Sequence, residues 1–272
     1  MKVIDCVIFS DEIALLKKRL EYYDDKVDQF VVCEADKNFY GEDRELVFPT
    51  IRDELKNKDK ITYLVKSDFQ HVPKGIEYAW PKGPWVNEWQ LREHLNTFIA
   101  DQSDDDIIIV SDTDEFYDKQ FIYDHGKPVT FMMTNNYFYV NYVDSKTTIP
   151  GPQLFTKKNY YDFVGTEFEY YSAHLHSVQG MRNSPMSGFK KIVYGAAWHF
   201  SYLGGLPSIR KKLNNFSHSE LMDYQNKPDE YFLDKISKFE DIFDRQATYE
   251  IKDNLTQELK ELFNTPEYYY SV

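Results

Sequence analysis

Residues 106–115 read DIIIVSDTDE, and no other stretch constrains the fold as strongly. Ile107 to Val110 are consecutive β-branched residues, a short apolar run of the kind that forms a strand buried on both faces. The run stops at Ser111 and gives way to Asp112, Thr113 and Asp114. Two carboxylates therefore leave the carboxyl end of a buried strand, where open α/β sheets bind their ligands. Paired hard oxygen donors at such a place suit Mg²⁺ or Mn²⁺, which in turn hold a diphosphate. In so acidic a chain an Asp-x-Asp triplet alone is most often a solvated turn, so the weight comes from the strand before it.

The flanking sequence repeats the pattern. Val3 to Phe9 is an apolar run, followed by Ser10 and a helix whose inward face is Ile13, Leu16, Leu20 and Tyr23. A second strand, VDQFVVCE, spans residues 27–34, and a third is expected over residues 61–65. Both of the first two strands end in polar residues, Ser10-Asp11-Glu12 and Glu34-Ala35-Asp36, at what would be one edge of a parallel sheet. Residues 41–60 are expected to form a helix over a loop, and the Pro- and Gly-rich residues 73–85 a loop over a site. A helix from about Asn87 buries Leu91, Leu95, Phe98 and Ile99 and leads into the acidic strand.

This alternation predicts an α/β fold with a mostly parallel central sheet flanked by helices. Residues 129–140 are strand-rich, and the stretch to about 205 suits antiparallel strands and loops. Helical patterning dominates from about 206. The expected organisation is one domain over 1–272, with a nucleotide-binding half (1–115) and an acceptor-side half with a helical tail (116–272).

Composition excludes several partners. A net charge of −13 without a basic stripe argues against a nucleic-acid backbone. Apolar runs fall far short of the ~20 residues of a membrane span. Asp5, Asp11 and Glu12 interrupt any signal-peptide-like region, so the cytoplasm is the expected compartment. Cys6 and Cys33 lie in apolar runs and read as buried free thiols.

Four segments, IDCVIFSDEIALLKKRL, VDQFVVCEADKNFYG, DIIIVSDTDE and AWHFSYLGGLPSIRKKLNNFSHSE, resemble glycosyltransferase family 17 in order and approximate spacing, from residue 4 to about 220. The resemblance implies a GT-A fold, a UDP-sugar donor (UDP-GlcNAc by family precedent), a glycan or other hydroxyl acceptor, a divalent metal and inversion at the anomeric carbon. The chain departs from the family at Phe116-Tyr117, where Ile-Pro usually follows the acidic motif.

In such a fold Ser10, Asp11, Glu12 and Glu34 are placed to meet the nucleoside. Helix capping by Ser10 and Asp11, and a surface ion pair for Glu34, are the alternatives. Arg92 would reach the nucleotide or orient the carboxylates of Asp112 and Asp114, unless it only pairs with Glu88 one turn earlier. His199, in AAWHFSYLGG, is the expected third metal ligand, and a hydrogen-bonded core histidine otherwise. Lys212 fits the diphosphate, with His218 a second choice as metal ligand. Inverting transfer needs one base on the acceptor hydroxyl, for which Glu220, Glu115 and Glu167 are candidates. Two competing classes stand beside this reading. One is a haloacid-dehalogenase-type phosphohydrolase, whose acidic motif usually lies near the N-terminus. The other is a non-catalytic sugar-binding module, which would not need the acidic pair with a late His and Lys.

Overall fold

The computed structural model describes residues 1–78, 82–166, 178–183, 190–215 and 217–270. In the first half, strand β1 (Val3–Phe9) leads through helix α1 (Ile13–Tyr23) into β2 (Gln29–Ala35). The short helix α2 (Phe48–Ile51) precedes β3 (Ile61–Lys66), and helices α3 (Pro84–His94) and α4 (Asn96–Ile99) precede β4 (Ile107–Asp112). These four strands lie in the order β3-β2-β1-β4, all parallel. They end where expected to within about two residues. Residues 41–60, in contrast, hold one helical turn at α2 and two 3₁₀ turns, with Pro49 at the start of α2, instead of a longer helix.

The second half adds β5 (Glu115–Tyr117), β6 (Val129–Tyr137) and β7 (Tyr142–Thr156). Helices α5 (Lys157–Thr166) and α6 (Val178–Asn183) and strand β8 (Lys191–Ser201) follow. Helices α7 (Gly205–Asn215) and α8 (Asp229–Ser237), strand β9 (Tyr249–Ile251) and helix α9 (Gln257–Leu262) complete the chain. β7 joins the parallel block by pairing antiparallel to β4, and β6, β8 and β5 continue outward. Only the β6–β8 pairing among them is parallel. The sheet is thus mixed, its parallel strands concentrated in the first half, and it runs unbroken through both halves of the chain. The tail is helical as expected except for β9, which pairs with β7.

Alternation along β1 explains the layering. Val7 and Phe9 face α1, with Leu16, Leu20 and Tyr23, and the C-terminal Leu259 and Phe263. Ile4, Cys6 and Ile8 face the other side, with Leu91, Leu95 and Ile99 of the α3–α4 segment. Burying each such side chain contributes roughly 1.5–3 kcal/mol. Cys6 and Cys33 are buried free thiols on the second face. No helix among the described residues is long and apolar enough to cross a membrane.

Candidate active site

Parallel pairing places the ends of β1 and β4 side by side, with Ile8 opposite Asp112. The chain leaving β1 (Ser10, Asp11, Glu12) therefore borders the acidic turn leaving β4. Both form the wall of a cavity of about 470 Å³, the size of a small-molecule site. The turn is closed on itself, since Asp112 N–H donates to Glu115 Oε2 at 3.0 Å. Thr113 donates from its hydroxyl to the Ile8 carbonyl at 2.7 Å, tying the turn to β1, and Asp112, Thr113 and Asp114 all line the cavity.

Each acidic residue of the turn has a cation. Arg92, one turn along α3 from Glu88, grips Asp112 with both ends of its fork, Nε to Oδ1 at 2.9 Å and Nη2 to Oδ2 at 2.7 Å. It also meets Glu88 at 2.7 Å, so the two roles foreseen for Arg92 coexist. Arg182 of α6 forms a two-pronged pair with Glu115 and lies 4.0 Å from Asp112. Lys212 reaches Asp114 Oδ2 at 2.6 Å and Ser201 Oγ at 3.0 Å. His199 Nε2 sits 3.4 Å from the same Asp114 oxygen.

Strand pairing and helix periodicity account for these placements. β8 runs beside β5 with His199 opposite Glu115, and beside β6 with His199 opposite Asn135. Asn135 Oδ1 lies 3.4 Å from His199 Nδ1, which turns Nε2 toward Asp114. On α7, Ser208, Lys211 and Lys212 share one face at spacings of three and four residues and line the cavity. Lys211 pairs with Asp11 at 3.2 Å. Arg210 points away to Asp229 and to the carbonyls of Gln225 and Lys227, so the basic run divides between site and scaffold.

Charges follow from this crowding. Burial alone would raise Asp114, but the Lys212 ammonium and His199 hold it well below the usual carboxylate range. Burial is likewise overcome at Asp112 by Arg92 and Arg182, which lower it. Glu115 is pushed up by burial and by Asp112, against the pull of Arg182. Glu12 is raised by burial and by its neighbours Asp11 and Asp114. Its Oε2 accepts from the N–H groups of Ser10 and Asp11 at 3.2 and 3.0 Å. Its Oε1 accepts no hydrogen bond from the described residues.

Several expected residues lie elsewhere. Glu34 is fully buried and off the cavity wall. Its carboxylate accepts from the N–H groups of Val47 and Phe48 and the hydroxyl of Tyr63, with Arg44 at 3.3 Å. It is committed to α2 and the β3 edge, which makes it neither a cavity residue nor a surface ion pair. Glu220 is exposed, bonded to His218 at 2.6 Å, and does not line the cavity, whereas His218 does, against the ring of Trp85. Glu115 lines the cavity but is engaged by Arg182 on both oxygens. Ser10 and Asp11 line the cavity, and the N-cap position of α1 falls on Glu12, whose side chain makes no capping hydrogen bond. Glu167 lies outside the described residues. Arg182 was missed, because α6 is a six-residue helix with no apolar periodicity or motif to announce it.

Among the described residues no three His, Cys, Asp or Glu side chains converge as a metal centre. Asp112 and Asp114 nonetheless fit a small hard cation, since both are held ionised at neutral pH. Mg²⁺-like ions commonly take one or two carboxylates and complete their shell with phosphate oxygens and water. The cavity has room for such a diphosphate, with Lys212 beside it.

A sequence model of glycosyltransferase family 17 matches residues 1–162. The β-1,4-mannosyl-glycoprotein 4-β-N-acetylglucosaminyltransferases of Rattus norvegicus and Homo sapiens are each 29% identical over 126 residues, 42% of this chain and 21% of theirs. The match thus spans about a fifth of the length of these relatives. Among solved structures, the galactosyltransferase LgtC bound to donor and acceptor sugar analogues is similar at 12% identity and a TM-score of 0.34, covering 71% of this chain and 73% of that one. Mannose-6-phosphate isomerase from Helicobacter pylori is similar at 14% identity and 0.34, covering 60% and 74%. Likenesses this distant carry no weight for fold or chemistry. The wall of the cavity contributed by Arg182, His199, Lys212 and Tyr268 lies beyond the family match.

Proposed function

Because the chain belongs to glycosyltransferase family 17, we propose that it transfers a sugar from a UDP-sugar, with GlcNAc first in line, to a hydroxyl of a glycan or other acceptor. The observation that carries this reading is the acidic turn Asp112–Asp114 at the end of β4, facing Lys212 and His199 across one cavity. The parallel block with this turn at its carboxyl edge supports a GT-A type of fold. A family of transferases also argues against the phosphohydrolase and the non-catalytic sugar-binding readings.

Donor binding uses Asp112 and Asp114 together with a divalent cation, Mn²⁺ or Mg²⁺, which when bound supplies Lewis-acid neutralisation of the diphosphate. Lys212 turns from Asp114 to the phosphate oxygens and stabilises the charge that grows on departing UDP. Arg92 fixes the Asp112 carboxylate through a bidentate contact that a lysine could not reproduce. The acceptor proton requires a base within reach. Glu12 suits that role better than Glu220 or Glu115, because it lines the cavity, has a carboxylate oxygen that accepts no hydrogen bond from the described residues, and is held above its ordinary pKa by burial.

Incubation with UDP-GlcNAc, UDP-Glc, UDP-Gal and GDP-Man in the presence of Mn²⁺, with calorimetry and an assay for nucleotide release, tests the proposal. UDP-sugar binding with UDP release supports it. Tightest binding of GDP-Man contradicts the nucleotide assignment, and tightest binding of another UDP-sugar contradicts only the choice of sugar.

A further inference from the structure

Beneath the acidic turn lies an ion pair that the proposed chemistry does not touch. Arg19 of α1 and Asp5 of β1 have fully buried side chains. Arg19 falls on the face of α1 that also carries Leu16, Leu20 and Tyr23, a position where an apolar residue is the ordinary choice. Its Nε and Nη2 donate to the two oxygens of Asp5, each at 2.7 Å. Two further donors are directed to the acidic turn: Nη2 also donates to Ser111 Oγ at 2.6 Å, and Nη1 donates to the Glu115 carbonyl.

One guanidinium therefore bridges the two residues that flank Asp112–Asp114. The rings of Tyr23, Phe116 and Tyr117 pack around it, 5.0 to 5.8 Å from ring centroid to guanidinium carbon. The Tyr23 hydroxyl adds a second anchor, accepting from Tyr117 N–H at 2.8 Å and donating to Tyr117 C=O at 2.9 Å. A buried ion pair is weak as a source of stability, since well-packed apolar residues often replace one without loss. The planar fork of arginine is by contrast hard to replace when several acceptors must be held at fixed spacing.

The geometry points to Arg19, oriented by Asp5, as a positioning residue that spans the acidic turn from below and fixes Asp112 and Asp114 for the cation-diphosphate. The functional half of this inference rests on the proposed donor chemistry. The pinning of the turn does not.

The test uses the full chain with three variants: Asp5→Leu/Arg19→Met, Arg19→Lys and Ser111→Ala. Thermal melting reports the fold, hydrogen exchange at the amides of residues 112–115 reports the turn, and calorimetry with Mn²⁺ plus UDP reports the site. The double variant is expected to melt near wild type, to exchange in the turn at least about tenfold faster, and to bind Mn²⁺–UDP at least about tenfold more weakly. Arg19→Lys keeps the charge but loses the fork, so the exchange and binding defects should persist in it. Ser111→Ala removes one anchor and should show a smaller defect of the same kind, which provides the reading if the double variant does not fold. Wild-type exchange and binding in a folded Arg19→Lys chain, or in the double variant, would overturn the inference. Failure of the wild type itself to bind Mn²⁺–UDP would instead count against the donor reading, while the exchange data would still decide the pinning.

Discussion

Asp114 receives Lys212 and His199 on a single carboxylate oxygen, so its charge is a property of the site as a whole. A carboxylate lowered in the folded protein contributes stability above its unfolded pKa, and that contribution is lost as pH falls through the folded value. Asp114→Asn should therefore reduce the acid sensitivity of unfolding in denaturant titrations below about pH 4. Lys212→Ala removes the cation expected to meet the diphosphate. Loss of one hydrogen bond to a charged group costs about 1.5–3 kcal/mol, so UDP affinity should fall roughly ten- to a hundredfold, with a smaller effect on Mn²⁺ alone. Equal loss of both in calorimetry would show that Lys212 serves only to hold Asp114. Glu12 has the opposite sign, its folded pKa being raised. Any stability linked to its proton is complete below the unfolded pKa and disappears as pH rises through the folded value, where its carboxylate becomes able to accept a proton. Transfer should accordingly show an acidic limb that Glu12→Gln removes along with most of the rate. An unchanged pH–rate profile in that variant would exclude Glu12 as the base.

At the scale of elements, α7 brings Ser208, Lys211 and Lys212 to the cavity, and its entry is unusual. Gly204 and Gly205 both have positive φ, +95° and +73°. A Cβ on Gly204 would also lie 2.7 Å from Ser208 Oγ. Gly204→Ala should destabilise the protein by about 1–3 kcal/mol in urea unfolding and weaken UDP binding by shifting Lys211 and Lys212. Wild-type values for both would mean that the entry to α7 tolerates a side chain. The first four strands were legible in the sequence because each carries a predominantly apolar segment rich in Val and Ile, broken in β1 only by Asp5, and the polar ends of β1, β2 and β4 announced a common edge. The outer strands were less so. β5 and β9 are three residues each and are held by pairing partners far along the chain, β8 and β7. Asp112, Asp114 and Arg92 could be read from local spacing, and His199 and Lys212 from the ordered motifs. Arg182 and the upward shift of Glu12 arise only when distant segments meet, and Glu34 looked available because the sequence does not show the N–H groups of Val47 and Phe48 folded onto it.

Across the whole molecule, one mixed sheet joins the family-matching first 162 residues to the segment that supplies His199, Lys212 and Tyr268 to the cavity. The cavity is thus divided between an edge built at the ends of β1 and β4, within the family match, and a wall contributed by the remainder of the chain. With a net charge of −13, the protein repels free UDP-sugar at long range. Binding should then depend on local neutralisation, and the most direct measurement is calorimetry of UDP-GlcNAc with and without Mn²⁺ on the wild type and on Asp112→Asn/Asp114→Asn. The account predicts Mn²⁺-dependent binding by the wild type and its loss in a double variant that still melts cooperatively. Undiminished Mn²⁺-dependent binding by that variant would contradict it.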